Sequence, residues 1–142
     1  MTDLPDNAIP IACDMTDATD TPEERLAEYQ RLFSTGLIAR ERTERRIRFR
    51  FAERPGLADW VRDLSTREHA CCPFMFFEVT SHGEELRWDI TTVDDRAAKL
   101  VLDGLYDLPD SQIVSVDDLL ADYGNRGVDI VATDKGFEQA QT

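Results

Sequence analysis

Six consecutive residues, Arg46-Ile47-Arg48-Phe49-Arg50-Phe51, alternate strictly between charged and apolar side chains. A strand turns successive side chains to opposite faces, so this pattern predicts a strand with one wet face and one buried face. Pro55-Gly56 ends it. Other elements must then cover Ile47, Phe49 and Phe51.

Helices are the candidates. Thr21-Pro22-Glu23-Glu24 reads as a helix start: Thr21 is the N-cap, Pro22 fits the first helical position, and Glu24 completes a capping box. Leu26, Tyr29, Phe33 and Leu37 follow at helical spacing, which predicts a helix to about Arg42. A second helix is expected from about Leu57 to Cys71, stopped by Pro73. Phe74 to Thr80 reads as a strand, Ser81 to Glu84 as a turn, and Glu85 to Val93 as the returning strand of a hairpin. Asp94-Asp95 opens a third helix that ends near Leu108-Pro109. Ahead of these, the apolar run Ala8 to Cys13 suggests a short edge strand, because Pro10 excludes a central one.

The order predicts an α+β fold, a small antiparallel sheet with helices on one face, with a ferredoxin-like split βαβ as one arrangement. Residues 1–109 form the expected core domain with a short N-terminal arm. Residues 110–142 read as a C-terminal appendage: a helix at Val116 to Tyr123, a strand at Val128 to Ala132, and a disordered tail from Gly136 to Thr142.

Composition narrows the function classes. The net charge is −13, which repels nucleic acid and anionic membranes. Fourteen arginines against two lysines, with eighteen aspartates among the acids, suggest a high-salt, halophilic cytoplasm. No stretch approaches a membrane span, and Met1 to Asn7 carries Asp3 and Asp6 instead of an apolar leader. A cytoplasmic location is the expectation. The seven arginines between Arg40 and Arg54 read as a solvated sheet face rather than a nucleic-acid strip. Phe74 and Phe76 alternate with Met75 and Phe77, so both faces of that strand are apolar; a covered central strand or a homodimer interface explains this. His82 lies in a turn and reads as solvated.

The chemistry concentrates in Cys13, Cys71 and Cys72. An odd cysteine count argues against a disulfide framework and for reduced thiols. On a wheel of about 100° per residue, Leu57, Trp60, Val61 and Leu64 form one stripe, which continues to Glu68 with Cys71 and Cys72 on its flanks. Arg67 and His69 fall outside it. Glu68 thus sits where an apolar residue is expected, which makes it a functional-site candidate, or else a cap of the sheet edge or a partner of the Arg46/Arg48/Arg50 row. Cys71 and Cys72 close a helix, where the dipole disfavours thiolate; Cys13 lies beside Asp14 and near Asp17. Only Arg67 and His69 push the other way. That setting favours metal ligation over nucleophilic catalysis. Three thiols suit a soft ion, Zn(II), Cu(I), Hg(II) or As(III), with Glu68 or His69 as a further ligand.

Ile11-Ala12-Cys13, then Glu68-His69-Ala70-Cys71-Cys72-Pro73-Phe74 and Phe77-Glu78, resembles a family of small prokaryotic proteins. These pair a lone N-terminal cysteine with an E-x-x-C-C-P-F-x-x-F-E motif before a hairpin and a final helix. The likeness covers about residues 9 to 105 and gives residues 110–142 no role. It implies that Cys13, Cys71, Cys72 and Glu68 form one site, and it associates the chain with heavy-metal handling.

Three readings follow. The first is a soft-metal or metalloid binding protein. The second is a thiol-dependent enzyme on the same residues, either an organometal lyase with Glu68 as proton donor or an oxidoreductase. The third is a structural or interaction protein with core-packed cysteines.

Overall fold

The computed structural model describes residues 12–14, 18–110, 113, 115–125, 130–133 and 136–139, with the strands at 12–14, 130–133 and 136–139 described as backbone only. The elements in order are β1 (Ala12–Asp14), α1 (Pro22–Phe33), β2 (Leu37–Thr43), β3 (Arg46–Ala52), α2 (Leu57–Cys71), β4 (Met75–His82), β5 (Glu85–Thr92), α3 (Arg96–Asp107), a short 3-10 turn, α4 (Val116–Asn125), β6 (Ile130–Thr133) and β7 (Gly136–Gln139). The α+β expectation holds.

The alternating strand lies inside a four-stranded antiparallel sheet of order β2-β3-β5-β4. Ile47, Phe49 and Phe51 are fully buried on one face, beside Leu86, Trp88 and Ile90 of β5. Leu32 of α1, Val61 and Leu64 of α2, and Leu102 of α3 belong to the same core. Each such side chain contributes about 1.5–3 kcal/mol on leaving water. On the open face Arg48 pairs with Asp89 at 2.8 and 3.0 Å, and Arg50 pairs with Glu85 at 2.8 Å. These arginines face acids across the sheet, as a solvated face requires.

β3 and β4 both run antiparallel to β5, which lies between them. They are therefore parallel to each other, and β3-α2-β4 is a split βαβ. The remaining edge position, beside β3, is filled by β2, which precedes this unit instead of following α3. The four strands take the ferredoxin-like sheet order. Read cyclically from β3, however, the chain has α4, β6, β7, β1 and α1 between α3 and β2, so the likeness is of strand arrangement and not of element order.

The first helix is shorter than its spacing predicts. Thr21 and Glu24 do form the reciprocal capping box, at 2.9 and 3.1 Å. The helix stops at Phe33, and Gly36 takes φ 134°, a left-handed conformation suited to glycine. Residues 37–43 then pair with β3 across the Glu44-Arg45 turn. Leucine, alanine, arginine and glutamate are good helix formers, but propensity is a weak prior, and hydrogen-bonding the open edge of β3 outweighs it.

β4 is also corrected. It is an edge strand, so only its core face is covered: Met75 is buried, Phe77 stacks on Trp88 with centroids 6.0 Å apart, and Phe76 is 44% exposed. The expected helix at Val116 is α4. It packs on α3, where Gly104 leaves room for the Tyr123 ring, and Gln30 donates to the Ile113 carbonyl. Gly136–Gln139, expected as disordered, is strand β7. It pairs with β6 and with β1, giving a second sheet of order β1-β7-β6 with β1 at an edge. Residues 8–11 of the first apolar run lie outside the described residues.

Candidate functional site

The site is built on the end of α2. Val61, Leu64, Glu68 and Cys71 share the buried side of that helix. Its last turn closes with the Cys72 amide donating to the Glu68 carbonyl at 2.6 Å, and Met75 N–H then donates to the Cys72 carbonyl at 3.1 Å. Pro73 lies inside this turn and prevents the helix from continuing. Cys71 and Cys72 are 6% and 2% exposed.

Glu68 points inward as its place on the stripe predicts, and is 7% exposed. Its partners are not the Arg46/Arg48/Arg50 row. Arg25 Nη1 donates to Oε1, and the Tyr29 hydroxyl donates to Oε2 at 2.6 Å. Both residues come from α1, four positions apart and so on one helix face. Arg25 is itself 4% exposed and makes two further bonds to Asp20, at 2.6 and 2.8 Å. Asp20, Arg25, Glu68 and Tyr29 thus form one continuous chain of charge-assisted hydrogen bonds, buried except at the partly exposed Asp20.

The titration of these groups follows from their contacts. The Arg25 hydrogen bond holds the Asp20 carboxyl below its ordinary value despite partial burial. Burial alone would lower Arg25, yet Asp20 and Glu68 together hold it well above its usual range. Burial, with the neighbouring Glu68 charge, raises the Tyr29 hydroxyl. Burial also raises the Cys71 thiol; Arg25 opposes this and Glu68 adds to it.

Two sequence expectations change here. Arg67 is not the cation beside the thiols. It donates to Glu28 at 2.9 and 2.7 Å and to Asp63 at 2.9 Å, and Trp60 Nε1 completes the Glu28 site at 2.8 Å. The cation acting on Cys71 is Arg25. His69 is exposed, with Nδ1 2.7 Å from the Met75 carbonyl and its ring against Phe76 at 5.3 Å. That bond assigns the proton to Nδ1.

The cysteines differ in state. Cys71 is a free thiol, whereas Cys72 is disulfide-bonded. The expectation that the thiols are all reduced therefore fails at Cys72. The side chain of Cys13 lies outside the described residues; its strand, β1, packs against α2. Among the described residues no three His, Cys, Asp or Glu side chains are grouped to hold a metal ion. Both oxygens of Glu68 are taken by Arg25 and Tyr29, and His69 is held at Met75.

Sequence reasoning found Glu68 but missed Arg25 and Tyr29. The signal was present in part. An inward acid on one helix calls for an inward donor on its neighbour, and Arg25 and Tyr29 flank Leu26 on the buried stripe of α1. Among the described residues no helix is long and apolar enough to cross a membrane. Comparison with protein-family profiles, curated proteins and solved structures finds no match to this chain.

Proposed function

We propose that this chain binds a soft metal or metalloid ion through Cys71 and Cys72 at the end of α2, together with Cys13 from β1. Glu68 serves the site indirectly: its carbonyl fixes the Cys72 amide, and its carboxylate ties α2 to α1 through Arg25 and Tyr29. The observation that carries this reading is the burial of two adjacent cysteines at the end of α2, a helix that the Cys13 strand also contacts. Buried sulfur excludes hard, strongly hydrated ions and favours those that prefer thiolate.

The test is a titration of the fully reduced chain with Zn(II), Cu(I), Hg(II) and As(III), followed by native mass spectrometry and thiolate-to-metal charge-transfer absorbance. One ion per chain is expected, lost in Cys71→Ser. No thiol-dependent binding of any of the four would refute the reading.

A second reading, a thiol-disulfide exchange enzyme, is favoured by one specific observation: a free thiol and a disulfide sulfur occupy adjacent residues. Turnover of a disulfide substrate by the full chain, abolished in Cys71→Ser, would support it. The organometal-lyase form of an enzyme reading is less favoured. Glu68 accepts on both oxygens, which leaves neither free to pass a proton to a substrate. A cytoplasmic location and a homodimer formed over the exposed Phe76 edge belong to the same proposal. Nucleic acid and membrane surfaces do not, because a net charge of −13 repels both.

A further inference from the structure

Resting on the homodimer reading, we infer that two copies of this chain pair β4 with β4 in antiparallel register about a two-fold axis at Val79, joining their sheets into one.

The four-stranded sheet has two edges, β2 and β4. An open edge offers unpaired N–H and C=O groups to any strand, and monomeric proteins protect it with bulges and charges. β2 carries both devices. Its register is broken by a bulge between Leu37 and Ala39. Arg40 turns in to Asp110 and to the Tyr106 ring at 4.9 Å, and Arg42 turns in to Asp103 at 2.7 Å. β4 carries neither. It pairs with β5 in unbroken register from Met75 to His82. Glu78 is its single Asp, Glu, Lys or Arg, and Phe76 stands 44% exposed.

The backbone says which groups face outward. Val93 N–H donates to the Phe74 carbonyl at 3.2 Å, so Phe74 faces β5 and, by alternation, so do Phe76, Glu78, Thr80 and His82. The N–H and C=O groups of Met75, Phe77, Val79 and Ser81 therefore point away from the sheet. Those of Met75 are in use: its N–H donates to the Cys72 carbonyl at 3.1 Å, and its carbonyl accepts from His69 Nδ1 at 2.7 Å. Those of Phe77, Val79 and Ser81 have no partner among the described residues.

These three residues fix the register. A two-fold axis at Val79 sets Phe77 against Ser81 of the second copy and Val79 against Val79, so every outward group is paired. Between them Glu78 meets Thr80, and Phe76 meets His82. An axis at Glu78 would set two carboxylates directly opposite each other, which is destabilising. An axis at Phe77 calls on the Met75 groups already in use. An axis at Thr80 puts Phe77 against Gly83, which has φ 66° in the hairpin turn.

Charge points to a second copy as the occupant. At −13, two copies repel each other. The open face of the sheet carries none of that excess: Arg46, Arg48, Arg50 and Arg87 stand there with Glu41, Glu78, Glu85 and Asp89. Arg48 with Asp89, and Arg50 and Arg87 with Glu85, pair at 2.8 Å. A strongly cationic partner has acidic surface elsewhere to choose. An equally acidic copy meets least repulsion at the edge of this balanced face.

The test is sedimentation equilibrium of the full chain. A single ladder is a small interface, so a reversible dimer dissociating at roughly 1–100 µM is expected. Thr80→Lys sets a cation opposite Glu78 of the second copy and should tighten the dimer by about threefold or more relative to Thr43→Lys, which makes the same charge change at the far edge of the same face. Thr80→Glu should loosen it as much relative to Thr43→Glu. On mild oxidation Val79→Cys should link to itself across the axis, as peptide mapping shows, and Ser81→Cys should not. A dimer indifferent to the Thr80 charges, or one in which Val79→Cys folds and does not link, overturns this inference. If Phe76→Ser weakens that dimer, the homodimer reading stands; if it does not, both fall. A chain still monomeric at about 200 µM also overturns both, whether the edge is open or held by another strand of the same molecule.

Discussion

Replacing Arg25 with methionine keeps the aliphatic stem and deletes the guanidinium that joins Asp20 to Glu68. Glu68, 7% exposed, would keep only the Tyr29 hydroxyl as a partner. Removing one partner of a buried ion pair costs about 3–5 kcal/mol, because the other charge stays buried and unpaired. The low end applies here. Asp20 is partly exposed and retains Arg67 at 3.5 Å, so most of the cost falls on Glu68 alone. With a urea m-value of about 2 kcal/mol per molar, a loss of about 3 kcal/mol lowers the unfolding midpoint by about 1.5 M. Adding Glu68→Gln to Arg25→Met removes the stranded charge and keeps an oxygen for Tyr29. The double variant should recover to within about 1–2 kcal/mol of the parent, a non-additive result that a double-mutant cycle measures directly. A single-variant loss below about 1 kcal/mol, or additive effects, would refute the view that Glu68 depends on Arg25.

Other outcomes follow from the same contacts. Ser65→Ala removes the acceptor of the buried Trp88 Nε1–H, which sits 2.8 Å from the Ser65 hydroxyl, and should cost about 1–3 kcal/mol in chemical denaturation with a shift in tryptophan fluorescence. At Gly104 an added Cβ would strike the Tyr123 ring. Gly104→Ala should therefore loosen α4 and speed its amide exchange, despite alanine's better helix propensity, and Tyr123→Ala should restore the loss. Asp20 and Glu28 have folded values below 3.8 and 4.5, their ordinary ones, mainly through hydrogen bonds from Arg25 and Arg67. The stability they contribute is present above about pH 5 and is lost as pH falls through and below those values; urea midpoints across acid pH check the sign. Cys71 and Tyr29 are raised instead, so stability should also fall as pH rises past the ordinary thiol and phenol values.

How much of this was legible in the sequence depends on the range of the interaction. The β3 alternation, the Thr21 capping box and the stop at Pro73 are local, and each appears where the residues put it. Glu68 was legible as an inward residue because a helix wheel is also local. Its partner was not, since Arg25 meets it only after α1 docks on α2. Residues 37–43 carry good helix formers and a leucine in phase with α1. Only the open edge of β3 makes them a strand, and that edge exists once the sheet has formed. The odd cysteine count pointed to free thiols. A disulfide at Cys72 depends on which part of the chain meets it after folding, and no spacing rule encodes that.

The pairing of β1 with β7 also sets an order of events. Cys13 leaves the ribosome among the first residues, long before α2 exists, while its neighbour across the ladder, Phe137, comes from the far end of the described chain. β1 has no other strand beside it in that sheet. Synthesis therefore delivers the first sulfur early and its backbone support late. The β1–β7 ladder can form only after translation has passed β7, so β1 waits through the synthesis of every element between them for the strand that pairs with it.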